Sequence, residues 1–335
     1  YVDATEGWIN VQETETSVTG LPPYIAASGG NTTLTSGDYK THIFTGPGTF
    51  TVTAAGAPAG SNGVEYMVVG GGGGGGAGCA GGGAGAGGMR VRSVCSPTTP
   101  LNAPAPIQVT VQAYPITVGG GGAGNTSPNS GASSVKGTNG DSSTFSTITS
   151  AGGGGGAAGS ASSPDGNVGS SGGSGGGGGH SGGAGGSGNT PPVSPNQGFP
   201  GGASAPSGDD KSGGGGGAGA LSNPSPSPTA PGGSEGGAGS YIPTTFLGPT
   251  APSYGETGPQ GRFFAGGAGG SRRSSPATPE GPGGLGGGAD GVVNASGNNG
   301  TTNMGGGGSG GAKQASSNSG GNGGSGVVMI RYKFQ

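Results

Sequence analysis

Seven consecutive glycines, residues 70–76, follow directly on the strand-forming run Val64-Glu65-Tyr66-Met67-Val68-Val69. Blocks of the same kind recur to the end of the chain, near residues 70–88, 119–124, 152–159, 172–188, 213–219, 232–239, 266–270, 281–288, 305–311 and 320–326. A block without Cβ atoms buries almost no apolar area and loses more backbone freedom on ordering than any other sequence. It therefore either stays disordered or packs backbone against backbone. Counting 95 glycines and 27 prolines in 335 residues, the choice governs the whole molecule.

Disorder goes with high charge and few hydrophobic strands. This chain has 7% charged residues, a net charge of −3 and several strand patterns. The 27% of hydrophobic residues is too little for the core of a conventional enzyme of this length. Eleven Lys and Arg against fourteen Asp and Glu argue against a nucleic-acid binder. No apolar run reaches the ~20 residues of a membrane span, and the solid blocks lack the every-third-residue period of collagen.

Before residue 150 the branched and aromatic residues collect in short runs. Thr41–Thr45 and Thr49–Thr53 flank Gly46-Pro47-Gly48, which predicts a hairpin. Val64–Val69, Ile107–Val111, Tyr114–Val118, Ser143–Thr149 and the terminal Gly326–Phe334 read as further strands. The expected fold is mainly β: a small antiparallel sandwich closed by the C-terminal strand, essentially without α-helix, carrying the glycine-rich array. Four regions follow: a connector over 1–37 with a short strand around Trp8, a base over 38–150, an array with irregular loops over 151–325, and a returning strand over 326–335. The start at Tyr1, with neither an initiator Met nor a signal peptide, reads as a piece of something longer.

Extended left-handed helices with three residues per turn and about 3.1 Å rise supply the physics of the blocks. Their N–H and C=O groups all point outward and need partners, which neighbours without side chains approach closely enough to provide. Ala, Ser and Asn within blocks are expected to mark the faces that meet solvent.

The segments THIFTGPGTFTVT, GVEYMVVGGGGGGG, VTVQAYPITVGGGG, STFSTITSAGGGGG and GGSGVVMIRYKFQ together resemble the glycine-rich domain of bacteriophage tail-fibre and virion structural proteins, most of all those of marine cyanophages. The resemblance runs from about Thr41 to Gln335. It implies a β-sandwich base bearing polyglycine type II helices, a place on the surface of an extracellular phage particle, and loops at the distal end that contact the host. The partners it implies are a bacterial surface receptor (a glycan or an outer-membrane protein) and other virion proteins, in a possible homotrimer, with no nucleic acid and no membrane insertion. A purely structural fibre decorating capsid or tail is the alternative. The glycine blocks alone also resemble springtail antifreeze proteins, which makes ice or surface binding a third reading.

No catalytic, cofactor or metal site is expected. GxGxxG occurs by chance throughout the blocks, and Lys211-Ser212 follows Asp210 where a phosphate loop has glycine. His42 and His180 have no ligand or nucleophile at useful spacing. Asp209-Asp210 reads as a solvated turn, and Asp3, Glu6, Glu13 and Glu15 as a soluble connector. Cys79 and Cys95 are expected to be free thiols. The candidates for receptor contact are the aromatics crowded between residues 241 and 264, Tyr241, Phe246, Tyr254, Phe263 and Phe264, with Arg262, Arg272 and Arg273 beside them. Rings on loops suit sugar faces or protein pockets, and arginine suits acidic groups. The competing reading is a hydrophobic plug that caps the array. Phe199, in the Pro191–Pro206 loop, is a second candidate.

Overall fold

The computed structural model describes residues 23–57, 61–127, 135–159, 167–206, 211–220, 234–249, 254–273, 280–312 and 318–335. The expected strand around Trp8 and the Asp209-Asp210 turn lie outside them. In chain order the strands are β1 (Ile25–Ser28), β2 (Thr32–Ser36), β3 (Tyr39–Phe44), β4 (Gly48–Ala55), β5 (Gly63–Val69), β6 (Met89–Arg92), β7 (Ile107–Gln108), β8 (Ala113–Thr117), β9 (Thr126–Ser127), β10 (Ser143–Phe145), β11 (Ile148–Ser150) and β12 (Ser240–Ile242). One helical turn, α1 (Thr244–Leu247), precedes β13 (Glu256–Gly258), β14 (Gly261–Phe264), β15 (Asn318–Ser319) and β16 (Val327–Lys333). The described chain is thus mainly β, its strands pair antiparallel, and helix is almost absent.

A five-stranded sheet runs β1-β4-β8-β10-β11 and a six-stranded one β2-β3-β16-β5-β6. They share a core of Ile25, Phe50, Val52, Tyr114, Ile116 and Phe145 from the first, and Phe44, Val64, Tyr66, Val68, Val328, Ile330 and Tyr332 from the second. Burying each such large side chain contributes about 1.5–3 kcal/mol. The other face of the six-stranded sheet is covered too. Ile43, Met67, Val69, Met89, Val327 and Met329 pack there against Ile242, Phe246, Leu247 and Phe264. This two-sided burial explains why Val64–Val69 reads as a continuous run and not as an alternation. The last strand, β16, sits in the middle of its sheet, between β3 and β5.

The hairpin expected around Gly46-Pro47-Gly48 does not form. β3 pairs with β2 and β16, whereas β4 pairs with β1 and β8, so the chain crosses from one sheet to the other. Phe44 and Phe50 each need the shared core, and facing sheets satisfy both. Residues 25–36, placed by sequence in the connector, form β1 and β2. The run Ser143–Thr149 is two strands, with Ser146 at φ 52 in the turn between them.

Five strand ends lead into glycine segments, at Val69, Met89 and Val327 directly and at Thr117 and Ser150 through one residue, Val118 and Ala151. The antiparallel register is kept: Val69 pairs Met89, and the N–H groups of Gly70, Gly73 and Gly76 then donate to the carbonyls of Gly88, Gly85 and Gly82. In the same stretch Gly71, Gly74 and Ala77 donate to Asp141, Thr138 and Val135, while Gly72 and Gly75 donate to Gly324 and Gly321. The carbonyls turn to three further segments. Gly71 and Gly74 accept from Gly153 and Gly156, Gly72 and Gly75 from Gly122 and Asn125, and Gly73 and Gly76 from Gly308 and Gly311. Every third residue returns to the same neighbour, and the segment is surrounded by six. A strand in a sheet has two.

The alanines and serines of the blocks mark the solvent face only in part: Ala123 and Ala184 are exposed, whereas many others are enclosed. Ala84, Ala86, Ala157 and Ala268 are fully buried, as are Ser174, Ser212, Ser234, Ser271 and Ser309. Three of these hydroxyls donate to backbone inside the array: Ser271 Oγ to Gly310 O at 2.6 Å, Ser212 Oγ to Ser271 O at 3.0 Å and Ser234 Oγ to Ser212 O at 3.1 Å. Asparagine is the side chain used at the periphery. Exposed Asn139 accepts from Gly155 N at 2.9 Å and donates to Ser171 O at 3.0 Å, and exposed Asn322 accepts from Gly124 N at 2.8 Å. Each amide stands where a further glycine segment would otherwise be needed.

Candidate functional site

Two ends of the molecule can be told apart. Pro23 and Gln335 lie at the end of the sheets away from the array, because Ile25 pairs with Ala55 and Lys333 with Tyr39, each at the outer end of its ladder. At the opposite end of the array Gly78 bridges to Gly159, Asn318 binds Gly78 through its amide, His180 N donates to Ala80 O, Lys211 pairs with Arg272, and Ala295 pairs with Ala312. Residues 127 and 135, 159 and 167, 206 and 211, 273 and 280, and 312 and 318 all belong to this far end.

The predicted contact residues sit elsewhere: Tyr241, Arg262, Phe263 and Phe264 on a small three-stranded sheet ordered β12-β14-β13, Phe246 in α1, and Tyr254 and Phe199 outside the strands. Tyr254 is within 3.2 Å of the Thr32 hydroxyl, and Thr41 Oγ1 donates to Phe246 O at 3.3 Å. Strand alternation divides β14. Arg262 and Phe264 share one face and Phe263 takes the other. Phe246 and Phe264 are buried in the second core, at 1% and 0% exposure, so neither ring meets the surface. Phe246 also roofs a buried ion pair, Arg331 to Glu65 at 2.6 Å, with the guanidinium stacked 3.6 Å from the Tyr39 ring centroid. The plug reading expected a cap on the end of the array; Phe246 and Phe264 instead cover a face of the six-stranded sheet.

Phe263 packs on Tyr241 with ring centroids 5.5 Å apart, and Tyr241 donates to Thr98 O at 3.1 Å. Beside them opens a pocket of about 230 Å³, lined by Pro100, Leu101, Phe199, Tyr241, Gln260 and Phe263 with the Gly219–Gly239–Ser240 backbone. The structure thus joins Phe199 to Tyr241 and Phe263. It separates Arg262, whose guanidinium binds Gly255 O and Thr257 Oγ1 at 3.3 and 2.9 Å, from Arg272 at the far end. Pro100 and Leu101 carried no signal in sequence, since only the fold brings them to Tyr241 and Phe263, and Gln260 had none beyond its place beside Phe263.

Elsewhere His42 is a buried structural residue, its Nδ1 2.6 Å from Gly29 O and its Nε2 3.0 Å from the Tyr332 hydroxyl. Burial pushes its pKa below the ordinary 6.5, as Lys40 does to a smaller degree, and the Gly29 hydrogen bond opposes them. Burial pushes the Tyr332 phenol up to about 12. No disulfide joins Cys79 and Cys95. Among the described residues no group of three or more His, Cys, Asp or Glu is placed to hold a metal ion, and no helix is long and apolar enough to cross a membrane.

Residues 44–333 match the family described as a glycine-rich domain. No curated protein matches the chain.

Proposed function

As the chain belongs to the glycine-rich domain family, we propose that it is a fibre or adhesin domain of a bacteriophage particle, non-enzymatic, which attaches to the surface of a bacterial host. The architecture in this reading is a β-sandwich base bearing a bundle of polyglycine type II helices. The return of every third N–H to the same neighbour supports the helix type, since three residues per turn require it. The observation that carries the function is the polarity of the molecule. Pro23 and Gln335 lie at one end, while the flanks of five connections gather at the other. A domain tethered at its sheets then holds irregular sequence away from the particle, as attachment needs.

The test is saturable binding of the labelled full chain to a panel of intact cyanobacteria and other aquatic bacteria. A companion variant has residues 160–166 and 274–279 replaced by Gly/Ser of equal length. Binding that is competed by unlabelled protein and lost in the variant supports attachment through the far end. A folded chain that binds no strain refutes it in favour of a structural fibre.

A further inference from the structure

We propose that the pocket between Phe199, Tyr241 and Phe263 binds one neutral pyranose ring of a surface glycan, stacked on aromatic side chains and held at its edge by Gln260. This rests on the attachment reading above and names the ligand class of a site outside the far end.

Size is the first argument. At about 230 Å³ the pocket is smaller than the roughly 300–1,000 Å³ of drug-sized ligand sites, so it takes one ring and not a chain. Charge is the second. Among the described residues no carboxylate, ammonium or guanidinium lines it. The nearest arginine by sequence, Arg262, lies on the opposite face of β14 and is already bound to Gly255 O and Thr257 Oγ1. An acidic sugar or a phosphate would enter with its charge unpaired, at a cost that a neutral ring avoids.

The third argument is the division of the lining. Phe199 and Tyr241 are half-buried and Phe263 is 7% exposed, so rings form the wall, while the exposed Gln260 amide stands in the β13–β14 turn. A pyranose has the matching division, with an apolar face of C–H groups and a rim of hydroxyls that both donate and accept. An amide pairs with such a rim in either sense. Part of the wall is held in place before the ligand arrives, as the Tyr241 hydroxyl donates to Thr98 O and Ser240 Oγ lies 2.6 Å from Thr99 Oγ1. Little ordering cost therefore falls on binding.

The experiment titrates the full chain with glucose, galactose, mannose and N-acetylglucosamine, read by saturation-transfer NMR and calorimetry. One or more is expected to bind with a Kd on the order of 1–10 mM, the range for a ligand of this size. Phe199→Leu, which keeps apolar volume but removes the ring, is expected to weaken binding at least tenfold with the melting temperature unchanged. Gln260→Ala, on an exposed turn, is expected to weaken it about fivefold. If no sugar binds a folded chain that still attaches to cells, the pocket assignment is wrong and the attachment reading stands. If sugars bind but cells do not, the attachment reading fails by itself. Undiminished binding in Phe199→Leu overturns the stacking geometry.

Discussion

Replacing Gly75 by alanine tests whether the array is held by close backbone approach. Gly75 has no left-handed φ, so alanine adopts its backbone freely and only space is at issue. A Cβ built there stands 2.5 Å from Ser309 C and 2.9 Å from Gly310 N, and closer still to Ser309 O. All three are backbone, so no side-chain rotation relieves the clash. The 305–311 segment must move, and it is tied down by Gly308 N to Gly73 O at 3.0 Å and Gly311 N to Gly76 O at 2.9 Å. Each buried bond lost with its groups left unpaired costs about 1–3 kcal/mol. Two such losses, offset by the roughly 0.4–1 kcal/mol that alanine removes from unfolded-chain entropy, leave a net destabilisation of about 1–5 kcal/mol. With an unfolding entropy near 2.1 cal/mol/K per residue, the melting temperature falls by roughly 1–7 °C. The control is Gly120→Ala. A Cβ there meets only Asp141 Oδ2, at 3.3 Å, on an exposed segment, and the same entropy gain raises the melting temperature by about 1 °C. Calorimetry of the two variants decides the matter. Equal melting temperatures would refute the claim that these glycines are selected by volume.

Glu65→Leu leaves Arg331 charged and buried, and denaturant unfolding is expected to show a loss of about 3–5 kcal/mol. Adding Arg331→Met is expected to restore most of it, and a double variant as unstable as the sum of the singles contradicts this. His42 has a folded-state pKa below its unfolded 6.5, so its contribution is full above that value. As pH falls below about 6.5 the unfolded chain takes up a proton that the folded one resists. Stability then declines by up to about 1.4 kcal/mol per pH unit until the folded-state pKa is reached. His42→Gln flattens this slope between pH 6.5 and 5, and an unchanged slope assigns it to other groups. Asn139→Ala removes the peripheral acceptor of Gly155 N. Amide hydrogen exchange at Gly155 is expected to accelerate about fivefold, in line with roughly 1 kcal/mol for the bond, and equal protection would dismiss the edge role of Asn139.

What could be read from the sequence depended on the range of the interaction. The existence of strands at Val64–Val69 and Val327–Lys333, and the extent of the glycine blocks, follow from local composition and are seen. Partner choice does not follow from it. The Gly46-Pro47-Gly48 turn looks like a hairpin in isolation, yet Phe44 and Phe50 need opposite walls of one core. The sheet around Tyr241 and Phe263 was hidden because β12, β13 and β14 are each three or four residues long, below the length at which alternation is visible. The burial of Ala84 or Ser271 was misread for a related reason. Whether a methyl or a hydroxyl fits between glycine segments depends on segments far away in sequence: Ala84 N donates to Gly308 O, and Ala84 O accepts from Ala268 N. Of the candidate site, Phe199, Tyr241 and Phe263 could be singled out by their rarity in the array, whereas their assembly with Leu101 and Gln260 needed the fold.

The unbroken register from strand into glycine segment has a mechanical corollary. Tension between the far end and the sheets runs lengthwise along β5, β6, β8, β11 and β16, nearly perpendicular to their hydrogen bonds. Bonds loaded in this way share a pull in parallel and do not open one after another from a fork. Because β16 lies between β3 and β5, with six register pairs on one side and five on the other, the most strongly flanked strand is also among those that take the load. Rupture under rising force would then be a single event at high load, and the glycine segments would leave the sheets intact up to that point.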